Sequence, residues 1–144
     1  MQTKKYEYKK FDNIYAIRLI KDSEIIHTLK EFCEENKITA GIIQGIGALN
    51  SLTLGYFNST TKEYKEKTIQ GSIEMTSLMG NISIKDSQTY LHCHVTASND
   101  DYNTIGGHLI SATISLTGEI FITALDGKIS RYLDNETGLN LFKF

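Results

Sequence analysis

Residues 89–97 read Thr89-Tyr-Leu-His-Cys-His-Val-Thr-Ala97. Apolar and polar side chains alternate, the period-2 pattern of a strand with one buried face. Leu91, Cys93 and Val95 point to the core side, and His92 and His94 share the opposite face. Strand signals continue on both sides. Ser72–Ile84 reads as one long strand with a bulge near Gly80. The loop Ser98-Asn-Asp-Asp leads to Gly106-Gly107, which opens a strand over His108–Leu116. Thr117-Gly118 reads as a turn and Glu119–Leu125 as the last strong strand.

Further out, the chain supplies one helix. Ser23 offers an N-cap with Glu24 behind it. Ile25, Ile26, Leu29, Phe32 and Cys33 then recur at helical spacing, and Asn36 suits the C-terminal cap. Before the helix, Tyr6–Phe11 reads as a lysine-dense edge strand. Ile14–Ile20 reads as a strand apolar on both faces except at Arg18. After the helix, Ile38–Ile46 carries small residues where the backbone is approached closely. Leu52–Phe57 is a strand, Asn58-Ser-Thr-Thr a turn, and Glu63–Ile69 alternates. The tail from Lys128 is polar, with Leu139, Leu141 and Phe144 as docking residues. One helix among many strands predicts an α+β fold with a mainly antiparallel or mixed sheet.

At 144 residues the chain has room for a single domain, 1–144, large enough to fold without staples. No apolar run reaches the ~18 residues of a membrane span. The opening Met1-Gln-Thr-Lys-Lys-Tyr has no apolar stretch, so no secretory signal is expected. Cys33 and Cys93 cannot make a disulfide framework, so a reducing cytoplasm is the expected compartment.

Charge bounds the partners. Fifteen basic and seventeen acidic residues give a net charge of −2. Arg18 and Arg131 are the only arginines, and there is no proline. Guanine edges are read mostly by Arg, and phosphate binding usually needs a dense basic stripe. DNA is therefore a disfavoured partner. Lys4, Lys5, Lys9 and Lys10, interleaved with Tyr6 and Tyr8, could form a nucleic-acid strip, but a lysine-guarded edge explains them as well.

The histidines carry the chemistry. His92 and His94 lie about 7 Å apart along one strand face, close enough to converge on one metal. A hairpin through the intervening loop would bring His108 beside them, and Gly106-Gly107 permits close packing there. Three histidines with an open position is the pattern of a catalytic zinc site. Zinc there could polarise a carbonyl or activate water. The plainer alternative is solvent-facing histidines paired with carboxylates. Cys93 and Cys33 read as core, and His27 as a helix-surface residue. Arg18 needs a partner, for which Glu74 and Glu119 are the obvious carboxylates. That set is either a structural ion pair or an anion clamp near the histidines. Glu74 and Glu119 are candidate general bases, with Arg18 as anion partner. The glycines of Gly41-Ile-Ile-Gln-Gly-Ile-Gly are not a phosphate loop, because no Lys-Ser or Lys-Thr follows.

Six ordered segments carry a resemblance. They are Ile17-Arg-Leu, Ala40-Gly-Ile-Ile-Gln-Gly-Ile-Gly-Ala-Leu, Leu54-Gly-Tyr-Phe, Glu74-Met-Thr-Ser-Leu-Met-Gly-Asn-Ile, Leu91-His-Cys-His-Val and Gly106-Gly-His-Leu. In order and spacing the chain resembles the plant and prokaryote conserved (PPC) domain family, from about Ile14 to Leu141. The resemblance implies a seven-stranded, mainly antiparallel sheet with a flanking helix, assembled as a homotrimer. It implies a fold relation to acetolactate decarboxylases, which hold a metal with three histidines. The corresponding residues here are His92, His94 and His108, with Glu74 and Glu119 as nearby carboxylates. It implies a bound divalent metal, zinc foremost, and a small-molecule ligand, while the biochemical role stays open. Prokaryotic members often carry a DNA-binding label, by relation to plant proteins that join the domain to AT-hooks. This chain has no Arg-Gly-Arg-Pro core, so no AT-hook.

Overall fold

In the computed structural model, residues 4–144 are described; the opening residues 1–3, at the start of the stretch read as lacking a secretory signal, lie outside the described residues. Alternation of buried and exposed side chains runs through long strands. The elements in chain order are β1 (Tyr6–Phe11), β2 (Ile14–Leu19), α1 (Ile25–Glu35), β3 (Gly41–Phe57), β4 (Tyr64–Lys85), β5 (Gln88–Ser98), β6 (Thr104–Ala124), β7 (Ser130–Leu133) and β8 (Asn140–Lys143).

The sheet order is β1-β2-β6-β3-β4-β7-β8, and β5 pairs with both β4 and β6. Strands β3, β4, β5 and β6 therefore close a ring of antiparallel ladders. Among the described residues, one parallel contact joins β4 to β7 at Ile84 and Ser130. The α+β expectation holds, but the described residues form eight strands rather than seven. The extra pairing comes from the tail, where β7 and β8 are only four residues each.

Three local expectations change. β6 runs straight through Thr117-Gly118, where a turn was expected. A Cβ on Gly47 would meet the Thr117 carbonyl oxygen at 2.7 Å and the Gly118 Cα at 3.0 Å, so the small residues serve close β3–β6 approach instead. β3 likewise begins at Gly41, in the small-residue stretch, and runs on without a break through the strand expected at Leu52–Phe57. The β4 bulge falls between Met75 and Ser77, and Gly80 pairs regularly with Cys93.

The helix cap moves by one residue. The Glu24 carboxylate accepts from the Ile26 and His27 backbone N–H groups at 3.2 and 2.7 Å. It also accepts from the Ala112 N–H at 3.1 Å, tying the helix start to β6. Ser23 is buried and its hydroxyl donates to the Lys5 carbonyl at 2.8 Å, so it is not free to cap. Asn36 closes the other end as expected.

Leu29, Phe32 and Cys33 of α1 are fully buried with Ile43, Leu49, Leu78, Ile82 and Ile114 of the sheet. Phe32 meets Tyr6, Tyr8 and Tyr15 edge-on at 5.1–5.3 Å, which locks the helix to the β1–β2 hairpin. Cys93 and Val95 join this core from β5, which turns His92 and His94 outward. Among the described residues no helix is long and apolar enough to cross a membrane.

Candidate metal centre

Alternation along β5 sets His92 and His94 on the outer face, their ring centroids 5.2 Å apart. The antiparallel β5–β6 ladder then places His108 directly opposite His94. The His108 ring lies 5.4 Å from His94 and 5.3 Å from His92, so the three rings form a nearly equilateral triangle. That rung is the last of the β5–β6 ladder; beyond it, His108 pairs with Gly55 of β3.

Glycine is needed at one of the two positions before His108. A Cβ on Gly106 would lie 2.9 Å from the Val95 carbonyl oxygen, so only glycine lets β6 approach β5 there. A Cβ on Gly107 would make ordinary contact at 3.4 Å.

The ligand atoms of His92, His94 and His108 all lie within 4.8 Å of one another. Two metal–nitrogen bonds of about 2.0–2.1 Å span at most about 4.2 Å, so small side-chain rotations suffice to converge on one ion. Protonation fits as well. His92 is lowered to about 4, first by burial and then by the charges of His108, Arg131 and His94. His108 is lowered by burial and by His94. Both therefore present neutral imidazoles at neutral pH, the form that ligates metal.

The triangle floors a cleft of about 770 Å³. Phe57, Tyr64, Tyr90, Leu141 and Phe142 give it largely aromatic and apolar walls. Tyr64 stands edge-on to His108 at 6.2 Å. It has room because a Cβ on Gly55 would come within 2.6 Å of its ring. Arg131 of β7 closes one end. Its Nε donates to Ser83 Oγ, one Nη to the Asn140 carbonyl and the other to Asn81 Oδ1, each at 2.7 Å. The guanidinium lies over the rings of Tyr90 and Phe142, 4.8 and 4.4 Å from their centroids. Asn81 is the cross-strand partner of His92, which brings this cation to the edge of the triangle.

The other expected residues fall elsewhere. Arg18 is exposed and pairs with Glu7 at 2.7 Å, not with Glu74 or Glu119. It forms an exposed surface pair with a carboxylate that neither alternative named. Glu74 and Glu119 line a separate hollow with Ile46, Leu116 and Thr117, and within one chain they do not line the histidine cleft. Cys33 and Cys93 are buried thiols pushed up to about 12, chiefly by burial, which keeps them protonated. His27 is exposed on α1 and faces Glu31 at 3.2 Å. Lys4, Lys9 and Lys10 each sit over an aromatic ring of the β1–β2 hairpin. In the tail, Leu139, Leu141 and Phe142 line the cleft, while Phe144, expected to dock, is fully exposed. Arg131, Asn81, Tyr90 and Phe142, with Phe57 and Tyr64, are site residues that sequence reasoning missed.

The family model described as the Plants and Prokaryotes Conserved (PCC) domain matches residues 6–126. No curated protein matches the sequence. Among solved structures, a candidate DNA-binding protein of Bacteroides thetaiotaomicron is 41% identical, with a TM-score of 0.95 over 97% of this chain and 98% of that one. A metal-containing protein of Archaeoglobus fulgidus is 35% identical, with a TM-score of 0.86 over 100% of both chains. Acetolactate decarboxylase of Bacillus subtilis subspecies spizizenii is 11% identical, with a TM-score of 0.54 over 88% of this chain and 56% of that one. That last likeness is one of fold alone.

Proposed function

This chain belongs to the Plants and Prokaryotes Conserved domain family, and from that premise we propose that it is a cytoplasmic homotrimer holding a divalent metal, zinc foremost, at His92, His94 and His108. The adjoining cleft binds or transforms a small molecule. The observation that carries this reading is the triangle of imidazoles whose ligand atoms lie within 4.8 Å of one another, opening onto an aromatic-walled cleft. The metal-containing relative from Archaeoglobus fulgidus supports it. When bound, such an ion supplies Lewis acidity to a ligand oxygen. The chain's own residues orient that ligand: Tyr64 and Tyr90 exclude water from its body, and Arg131 presents a fixed positive charge. The test is metal analysis of protein purified without a histidine tag, followed by titration of the stripped protein with zinc, manganese and nickel. Stoichiometric uptake is expected, and uptake of none of the three would end the reading.

Assembly follows from an apolar outer face. Phe121 and Met79 lie in one cross-strand row with Ala16 and Gln44, next to a row holding Ile14 and Ile42. Ile42, Ile46, Met79 and Phe121 are 40–54% exposed in the single chain. A contiguous patch of this kind marks an interface, and closed cyclic symmetry covers it in every copy. Met79 is also the cross-strand partner of His94, so this interface adjoins the metal cleft.

A DNA-associated role is the second reading, supported by the candidate DNA-binding relative from Bacteroides thetaiotaomicron. The net charge of −2, with Arg18 paired and Arg131 hydrogen-bonded in the cleft, leaves the β1 lysines to carry this reading. Binding measured by fluorescence anisotropy is expected to be weak, indifferent to sequence and lost as salt rises. Submicromolar, sequence-selective binding at physiological salt would make this the primary function.

A further inference from the structure

Arg131 is a cation without a counter-charge. Its three hydrogen-bond acceptors, the Ser83 hydroxyl, the Asn140 carbonyl and the Asn81 side-chain oxygen, are all neutral. Among the described residues no carboxylate forms an ion pair with it. A guanidinium drawn partly out of water is costly unless an anion answers it. Three of its five N–H groups are used, leaving one on each terminal nitrogen. Two is the number a carboxylate takes in bidentate pairing. The group is held ready: Ser83 is fully buried, three hydrogen bonds hold the guanidinium, and it lies over the rings of Tyr90 and Phe142.

The rest of the cleft specifies the body of the ligand. Phe57, Tyr64, Leu139 and Leu141 present rings and aliphatic groups, not further charges. We propose that the cleft recognises a small organic monocarboxylate with an apolar or aromatic body, its carboxylate held by Arg131. This rests on reading the cleft as a ligand site and names the class of ligand. The specificity comes from the β7–β8 hairpin, which lies beyond the residues 6–126 matched by the family model.

The test exploits the presence of only two arginines. In ¹⁵N-labelled protein, the Arg131 Nε–H cross-peak is followed while 3-phenylpropionate or its neutral analogue 3-phenylpropionamide is added. Arg18 is the internal control, and Arg18→Gln assigns the remaining peak without disturbing the cleft. The acid is expected to shift the Arg131 peak to saturation, with affinity about tenfold or more above that of the amide. The Arg18 peak is expected to stay in place. Arg131→Gln is expected to abolish the preference for acid over amide while the protein still takes up zinc. Equal responses to acid and amide, no response to either, or a response to inorganic phosphate as strong as to the acid would overturn the proposal. Zinc titration of the same sample separates the two readings. A protein that binds the acid at Arg131 but takes up no metal contradicts the metal centre alone. One that takes up zinc with an unresponsive Arg131 contradicts the carboxylate site alone.

Discussion

His94 of β5 and His108 of β6 are direct cross-strand partners, with ring centroids 5.4 Å apart. Their separation is thus set by a backbone ladder and not by loop conformation, and His92 is fixed to the same strand. Each is expected to be indispensable: His92→Ala, His94→Ala or His108→Ala removes most bound metal. Cys93→Ser keeps the metal, because its side chain faces the core, and lowers stability by about 1–3 kcal/mol through a poorly satisfied buried hydroxyl. His27→Ala changes neither. Metal content and urea midpoints of the untagged variants check this. The assignment fails if Cys93→Ser loses metal while His108→Ala retains it.

The pH dependence has a definite sign. His92 in the folded protein is lowered from an ordinary 6.5 to about 4, chiefly by burial. As pH falls below 6.5, the unfolded chain therefore takes up a proton that the folded chain refuses. The stability of the metal-free protein is expected to be full above 6.5 and to decline as pH falls towards about 4. Metal release is expected in the same window, because protons and metal compete for the same nitrogens. Denaturation midpoints with and without metal, measured across this range, check both. A His92→Gln variant with an undiminished acid decline would contradict the attribution to His92.

Close backbone approach separates glycines that must stay from one that need not. A Cβ on Gly80 would lie 2.5 Å from Cys93 Sγ and 2.7 Å from the His92 carbonyl oxygen, and one on Gly106 meets the Val95 carbonyl at 2.9 Å. Gly80→Ala and Gly106→Ala are expected to cost about 1–3 kcal/mol and to weaken metal binding by moving β5. Gly107→Ala, with only ordinary contacts, is expected to stay within about 0.5 kcal/mol of the parent. Urea unfolding gives the comparison, and a Gly107→Ala variant less stable than Gly106→Ala would overturn it.

Charge placed in the apolar outer face should divide the assembly. Phe121→Glu and Ile42→Glu are expected to convert a trimer to monomers in light scattering, with unchanged far-UV circular dichroism. Neither side chain belongs to the buried core, so folding itself is spared. A parent protein that is monomeric at micromolar concentration would remove the trimer from the reading.

Strand alternation in residues 89–97 was enough to put His92 and His94 on one face and Cys93 in the core, because a two-residue period needs no tertiary information. The partner of Arg18 was partly within reach. The two-residue connection Asp12-Asn13, with Asp12 at a φ of 49°, pins Phe11 opposite Ile14 and hence Glu7 opposite Arg18. Register alone leaves Glu119 as well, the partner of Arg18 on the β6 side, and the side-chain contact at 2.7 Å decides for Glu7. Arg131 was out of reach for a different reason. It enters the site through a four-residue strand joined to β4 by the single pair Ile84 and Ser130, too short to show a period. Ser23 and Glu24 compete for the same cap, and the choice is made by the Lys5 carbonyl, which no local rule reveals.

The β5–β6 ladder stops at the His94–His108 rung, and past it the two strands part company, β6 turning to β3. Such a fork is where a sheet frays first. An ion gripping His92, His94 and His108 would sit across the fork like a clasp, joining both arms at the point where backbone hydrogen bonding gives out. Metal bound there would act on motion: loading it is expected to slow amide hydrogen exchange in the rungs from His94 to Ser98, while the far end of β6 exchanges as before.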